Sequence, residues 1–131
     1  MRNFKELDVW KDAITLVKDV YMITEHLPNT EKFGLKTQIA RCVVSIPANI
    51  AEGCAKDSQK DFVRYLQISL GSAFELETHV IICNSLSFIV GNDYELLIDK
   101  IIVLQKRINS LIKYSKTNTN PNKPKPKTKY Q

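Results

Sequence analysis

The residue types best suited to chemistry lie together in "ELETH", residues 75–79. Glu75 and His79 are four positions apart, so both side chains would lie on one face of a helix. A carboxylate and an imidazole in this arrangement could hold a metal ion or exchange a proton. Di-metal sites in helical bundles, however, use Glu-x-x-His on two helices together with further carboxylates, and this sequence contains no such spacing. We therefore predict no metal site and no cofactor.

Other patterns typical of enzymes are also missing from the sequence. The four glycines are scattered, so no phosphate-binding loop is predicted. We recognise no set of nucleophile, histidine and acid, and His26, close to Pro28, fits the end of a helix. Three cysteines without CxxC spacing indicate free thiols in a reducing compartment. We expect a cytoplasmic protein that is not an enzyme.

Basic residues form two groups that could bind nucleic acid. Lys56, Lys60 and Arg64 are spaced by four at the start of the third predicted helix, and a second group lies near the end of the fourth: Arg107, Lys113 and Lys116. Such residues would contact phosphates with little dependence on base sequence. The alternative is that each group is simply part of a solvated helix face, because Asp57 and Asp61 lie among the first group.

The charge distribution separates a nearly neutral domain from a basic tail. The chain has a net charge of +5, but four of its lysines and no acid lie in residues 117–131, "TNTNPNKPKPKTKYQ". Residues 1–116 are therefore close to neutral, at +1. Alternating Lys and Pro with almost no apolar residue predicts a disordered tail. We predict a domain over residues 1–116 and a disordered basic tail over 117–131.

Apolar periodicity predicts four helices in the domain. The first runs from about Asp8 until Pro28, and the second from about Glu31 to Cys54. The third begins after a Ser58 cap and extends to Gly91, where the fourth follows. Short connections predict an all-α, antiparallel, up-down-up-down four-helix bundle. No apolar run is long enough to cross a membrane, and we expect no membrane partner.

The second predicted helix contains a segment, "RCVVSIPANIAEGC", whose residues fall into three rows. One row is apolar and suits the core. The second row consists of small residues, including Ala48 and Ala51, and the third is polar, including Arg41, Ser45, Asn49 and Glu52. One interpretation is a solvated polar face. The other is that the small and polar rows form an interface with a second copy of the chain, where charge-assisted hydrogen bonds would form.

The third predicted helix favours the oligomer. Beyond its main apolar stripe it carries six further large apolar side chains: Ile68, Phe74, Ile81, Ile82, Leu86 and Ile89. A helix that is apolar on several sides needs burial on more than one face. A bundle of this size covers such a helix only in part, so we predict a homo-oligomer.

Three segments resemble a known family, the four-helix-bundle proteins encoded within intervening sequences of bacterial large-subunit rRNA genes. The segments are "ELDVWKDAITLVKDVY", "LPNTEKFGLKTQIARCVVSIPANIAEG" and "DFVRYLQISLGSAFELET". The resemblance covers roughly residues 4–114. It implies a left-handed four-helix bundle that assembles into a ring, as a homopentamer.

The family resemblance also suggests partners. The accessory variability protein of diversity-generating retroelements is similar, and it is a basic pentamer that engages RNA and a reverse transcriptase. The resemblance thus implies association with RNA or with a protein that handles nucleic acid, but no established activity. Two hypotheses follow: an oligomeric bundle that binds RNA or a ribonucleoprotein partner, or a protein-interaction scaffold with no direct role in nucleic-acid binding.

Overall fold

Four α-helices make up most of the protein. The computed structural model describes residues 2–31 and 33–117, and within these ranges it contains helices and turns but no strand. The helices are α1 (Asp8–Thr24), α2 (Leu35–Cys54), α3 (Gln59–Ser85) and α4 (Gly91–Thr117). Two short 3-10 helices precede α1 and α2, at Phe4–Glu6 and Asn29–Glu31. The predictions of an all-α fold and of four helices are confirmed.

The helices pack in a cyclic order around one core. Helix α2 packs against α3, α3 against α4, and α1 against both α2 and α4. This packing is consistent with a bundle. The side chains that fill its centre recur every three or four residues, as the helical period requires. The apolar row predicted for the second helix lies entirely in this core: Ile39, Val43, Ile46, Ile50 and Cys54.

The starts of α2 and α3 are set by local hydrogen bonds. The Ser58 hydroxyl accepts a hydrogen bond of 3.0 Å from the Asp61 amide, which confirms the predicted N-cap of α3. Helix α2 begins at Leu35, four residues later than predicted. The delay arises because Glu31 and Gly34 donate backbone hydrogen bonds to residues three positions earlier, which gives 3-10 turns before α2.

Helix α3 ends earlier than the sequence predicts. It stops at Ser85, and Gly91, which we expected to terminate α3, is instead the first residue of α4. The chain turns at Ser87, whose φ of 61° lies in the left-handed region. The amides of Phe88 and Ile89 then both donate to the Cys83 carbonyl, which closes the turn. A non-glycine residue in this conformation gives no clear signal in the sequence.

Helices α2 and α3 are in close contact at Gly53. A Cβ atom at this position would lie 2.8 Å from the Cβ of Tyr65 and 3.4 Å from the Phe62 carbonyl oxygen. Further along the same interface the buried Ser69 hydroxyl donates a 2.9 Å hydrogen bond to the carbonyl of Ile46. The accepting residue, Ile46, directly precedes Pro47, and α2 continues through this proline without a break. The glycine and the hydroxyl therefore fix how closely α2 and α3 pack.

The described residues contain no helix both long enough and apolar enough to cross a membrane. Helix α4 continues to Thr117, one residue beyond the predicted end of the domain. The remainder of the predicted basic tail, residues 118–131, lies outside the described residues.

Candidate functional site

One end of the bundle brings together three of the predicted nucleic-acid contacts. The first turns of α3 and the last turn of α4 line a shallow groove of about 430 Å³. Lys60 and Arg64 lie on the α3 side of this groove and Lys116 on the α4 side. We call the residues that line it the basic groove: Gln59, Lys60, Asp61, Val63, Arg64, Gln67 and Lys116. The amino terminus of α3 adds the positive end of its helix dipole to the same region.

The basic groove is held in place by contacts of Arg2 and Gln59. The Arg2 guanidinium lies over the Phe62 ring, 4.1 Å from its centroid, and donates hydrogen bonds to the Lys56 carbonyl and to the side chain of Gln59. Gln59 in turn donates a 3.2 Å hydrogen bond to the carbonyl of Ser115 in α4. The segment before α1, the start of α3 and the end of α4 are thus connected, which fixes the two sides of the groove relative to each other.

Lys56 and Arg64 lie beside the ring of Tyr65. The Lys56 ammonium is 5.0 Å and the Arg64 guanidinium 4.8 Å from the ring centroid, within the range of cation–π attraction. Arg64 also lies 3.8 Å from Asp61, but both side chains are more than half exposed. Such an exposed ion pair contributes little stability. The Arg64 charge therefore remains available to an anionic ligand at small cost.

The other two predicted contacts lie outside the basic groove. Arg107 faces α1, where its guanidinium pairs with Asp8 at 3.6 Å and also with Asp12. Two carboxylates thus offset its charge. Lys113 is exposed and lines a separate shallow depression with Ser110 and Thr117. The groove accordingly gathers half of the six predicted contacts, and Lys56 lies next to it.

The predicted interface residues form a partly exposed strip along α2. Arg41, Ala48 and Glu52 are exposed, whereas Ser45, Asn49 and Ala51 are half-buried. The Ser45 hydroxyl donates to the Cys42 carbonyl at 2.7 Å, and the Asn49 amide donates to the Ser45 carbonyl at 2.8 Å. Two of the polar side chains are therefore satisfied within α2. The strip's role as an interface stays a prediction.

A second cluster of reactive side chains lies between α2 and α3. Glu75 and His79 share a face of α3, as their spacing indicated, with Oε1 of Glu75 3.6 Å from Nε2 of His79. Cys42 of α2 joins them, and one ligand atom from each of the three residues lies within 4.8 Å of the others. Both ring nitrogens of His79 are buried and have no hydrogen-bond partner among the described residues. A buried polar group left unpaired costs about 1–3 kcal/mol.

The Cys42 thiol is poorly suited to nucleophilic chemistry. Burial, followed by the hydrogen bond to Glu75 and the negative charge of that residue, raises the pKa of Cys42 to about 12. The thiol is therefore protonated at neutral pH, whereas the thiolate is the form that reacts. Burial also raises the pKa values of Cys54 and Cys83.

Sequence reasoning missed Arg2 and Cys42. Arg2 lies far from Phe62 and Gln59 in the chain, and no periodic pattern relates them. Cys42 was recognised only as one of three thiols, because its approach to Glu75 and His79 depends on the packing of α2 against α3. The four-residue spacing of Glu75 and His79 is the one local signal for that cluster.

The described residues form an all-α, four-helix protein with a basic groove at one end of its bundle. The sequence profile of the family described as 23S rRNA-intervening sequence protein matches residues 5–110. The chain belongs to this family, which confirms the resemblance noted in the sequence.

A solved structure has a similar fold. It is a protein with unknown function from the S23 ribosomal protein family, from Bacteroides thetaiotaomicron. The two chains are 26% identical and superpose with a TM-score of 0.75, over 80% of this chain and 98% of that one. A comparison with proteins of curated function found no significant match.

Proposed function

We propose that this protein is a non-enzymatic, oligomeric helical bundle that binds RNA, or the RNA of a ribonucleoprotein, through its basic groove. The observation that carries the proposal is the convergence of Lys60, Arg64 and Lys116 from two helices on one groove. Phosphate oxygens are the ligands that clustered Lys and Arg side chains favour. The lysines of residues 118–131 follow directly after this end of α4 in the sequence and add to its positive charge.

Membership of the rRNA-intervening-sequence family is consistent with an RNA partner. Lys56 and Arg64 both lie over the ring of Tyr65, so the proposed contacts are to phosphates and not to bases. We therefore expect affinity for structured RNA that depends strongly on salt and weakly on sequence. Arg107 is left out of the proposed contacts because Asp8 and Asp12 already neutralise it.

The proposed assembly is an antiparallel bundle that forms a homo-oligomeric ring, with five copies as the expected number. The antiparallel arrangement is supported by two connections between α1 and α4. Asp8 and Asp12, early in α1, pair with Arg107, and Asp19, late in α1, pairs with Lys100. The order of residues along α1 thus runs opposite to that along α4. In a ring every basic groove is repeated, so weak contacts add through multivalency.

Exposed apolar side chains support the oligomer. Of the six extra apolar residues predicted on the third helix, Ile89 is buried. The other five are between 39% and 53% exposed: Ile68, Phe74, Ile81, Ile82 and Leu86. A single chain leaves this surface in contact with water. The free-energy cost of this exposure is proportional to the apolar area left uncovered. The strip of small and polar residues on α2 is the proposed second part of the interface.

Charge reversal tests the RNA-binding proposal. Fluorescence anisotropy with a structured RNA should show that Lys60→Glu with Arg64→Glu abolishes binding. A matched control, Lys11→Glu with Lys18→Glu, makes the same change in net charge at exposed positions of α1. We expect the control to retain most of the affinity. Equal losses in both variants would mean that net charge, rather than the groove, determines binding.

Overpacking tests the assembly. Ala51→Trp should disrupt a close helix contact and lower the mass measured by light scattering. Lys106→Trp, at an exposed position of α4, is the control and should keep the native mass. A native mass for Ala51→Trp would mean that the α2 strip is not the interface.

The alternative function is a protein-interaction scaffold with no direct role in nucleic-acid binding. The same exposed apolar surface of α3 favours it, because such a surface also fits a protein partner. An assembled protein that shows no RNA binding at low salt, where phosphate contacts are strongest, would favour this alternative.

A further inference from the structure

We propose that Cys42, Glu75 and His79 form a binding site for one divalent transition-metal ion of the zinc type. The three residues supply a sulfur, an oxygen and a nitrogen ligand from two packed helices, and their ligand atoms lie within 4.8 Å of one another. Zinc is bound by these three ligand types, and thiolate with imidazole favours it over magnesium or calcium. The inference is independent of RNA binding.

The unpaired imidazole is the second observation that points to a ligand. Neither ring nitrogen of His79 has a hydrogen-bond partner among the described residues, and both are shielded from solvent. A buried polar group without a partner is rare in native proteins and calls for an explanation, such as a missing ion. A metal ion bound to Nε2 would satisfy the nitrogen that faces Glu75.

The distances need only a small adjustment to fit the ion. Nε2 of His79 and Oε1 of Glu75 are 3.6 Å apart. Ligands of a tetrahedral zinc ion lie about 3.3–3.6 Å from each other, given the usual bond lengths to nitrogen, oxygen and sulfur. The two separations from the Cys42 sulfur are at most 4.8 Å, so each exceeds this range by no more than about 1.3 Å. Glu75, whose side chain is 57% exposed, can move toward the sulfur, and rotation of the Cys42 and His79 side chains would have to bring those two ligand atoms together.

The surroundings provide both access and shielding. The exposed Glu75 opens the site toward solvent, which gives the ion a path of entry. Both ring nitrogens of His79 and the side chain of Cys42 are buried. Such shielding limits the access of water to a bound ion. On binding, the Cys42 sulfur forms a bond to the metal and its proton leaves to solvent, and a water molecule completes the coordination.

The test measures metal binding by the full-length, tag-free, reduced protein. Competition with a chromophoric chelator should give one Zn²⁺ per chain, and Co²⁺ should produce the near-ultraviolet charge-transfer band of a cobalt–thiolate bond. Glu75→Gln, His79→Gln and Cys42→Ser should each weaken Zn²⁺ binding by about 100-fold or more. Loss of a residue that only hydrogen-bonds to a metal ligand weakens binding by about 10- to 100-fold, so a loss of this size indicates a direct ligand. Cys42→Ser should also abolish the cobalt band.

Two controls separate loss of a ligand from loss of structure. His26→Gln removes the other histidine, which is exposed at the end of α1, and should leave Zn²⁺ affinity unchanged. Glu75→Gln changes an exposed side chain, so circular dichroism should show that the variant keeps its native helix content. A loss of Zn²⁺ affinity in that variant would then reflect the missing ligand. The proposal is overturned if the wild type binds no Zn²⁺ at micromolar concentration, if affinity survives in Glu75→Gln and His79→Gln, or if the cobalt band is absent.

Discussion

The contact between α2 and α3 at Gly53 gives a prediction whose sign depends on the structure. Replacing a helical glycine with alanine normally stabilises a protein by about 0.8–1.0 kcal/mol, because alanine has the higher helix propensity. At Gly53, however, the new Cβ would lie 2.8 Å from the Cβ of Tyr65 and 3.4 Å from the Phe62 carbonyl oxygen. Both are atoms at or near the backbone of α3, so the helix itself must shift. Overpacking of this kind costs about 1–3 kcal/mol. Gly53→Ala should therefore lower the free energy of unfolding by about 1 kcal/mol.

Gly71 supplies the matched control. It lies within α3, and a Cβ added there would have no atom within 4 Å. Gly71→Ala should raise the free energy of unfolding by about 0.8–1.0 kcal/mol, so the two variants should differ by about 2 kcal/mol.

Urea denaturation followed by circular dichroism provides the measurement for both glycine variants. Protein concentration must be the same for all samples, because assembly makes stability depend on it. Equal stabilisation by both substitutions would refute the close approach of α2 and α3 at Gly53.

Two further predictions concern the thiols and the connection between α1 and α4. Folding favours the protonated Cys42 thiol, because its pKa rises from an ordinary value near 9 to about 12. The resulting stability is fully present below about pH 9 and is lost as pH rises toward about 12, at no more than about 1.4 kcal/mol per pH unit. In a metal-chelating buffer, alkaline denaturation of Cys42→Ala should accordingly show a shallower slope, and parallel curves would contradict the assignment. Arg107 and Asp12 are each about 40% exposed, so a double-mutant cycle on their ion pair should give a coupling energy below about 1 kcal/mol that decreases with salt. A larger coupling that resists salt would mean that the pair is buried.

Much of the fold could be predicted from local sequence signals. Periodic apolar residues identified the four helices, and Ser58 correctly marked the start of α3, because capping is determined by residues three positions apart. The predicted end of α3 was wrong because the chain turns at Ser87, which adopts a left-handed conformation. Gly91, the more obvious signal for the end of a helix, instead begins α4. Local patterns thus predicted where helices form better than where they end.

The candidate sites depend on contacts that sequence alone does not reveal. The spacing of Lys60 and Arg64 placed them on one face of a helix, but their convergence with Lys116 depends on how α3 packs against α4. The pairing of Arg107 with Asp8 and Asp12 has the same origin, since it joins α4 to α1. Side chains within one helix turn were predictable, and those brought together by tertiary packing were not.

The salt dependence of binding is the direct test of whether the basic groove binds RNA. The affinity of the full-length protein for a structured RNA should be measured by anisotropy over a series of salt concentrations, for the wild type and for a variant with Lys60, Arg64 and Lys116 changed to alanine. If the groove binds RNA, the logarithm of affinity should fall linearly with the logarithm of salt concentration. The magnitude of the slope should be smaller in the variant by roughly two or more, because each lost phosphate contact removes about 0.7–0.9. Identical slopes for the two proteins, or no binding by the wild type at low salt, would contradict it.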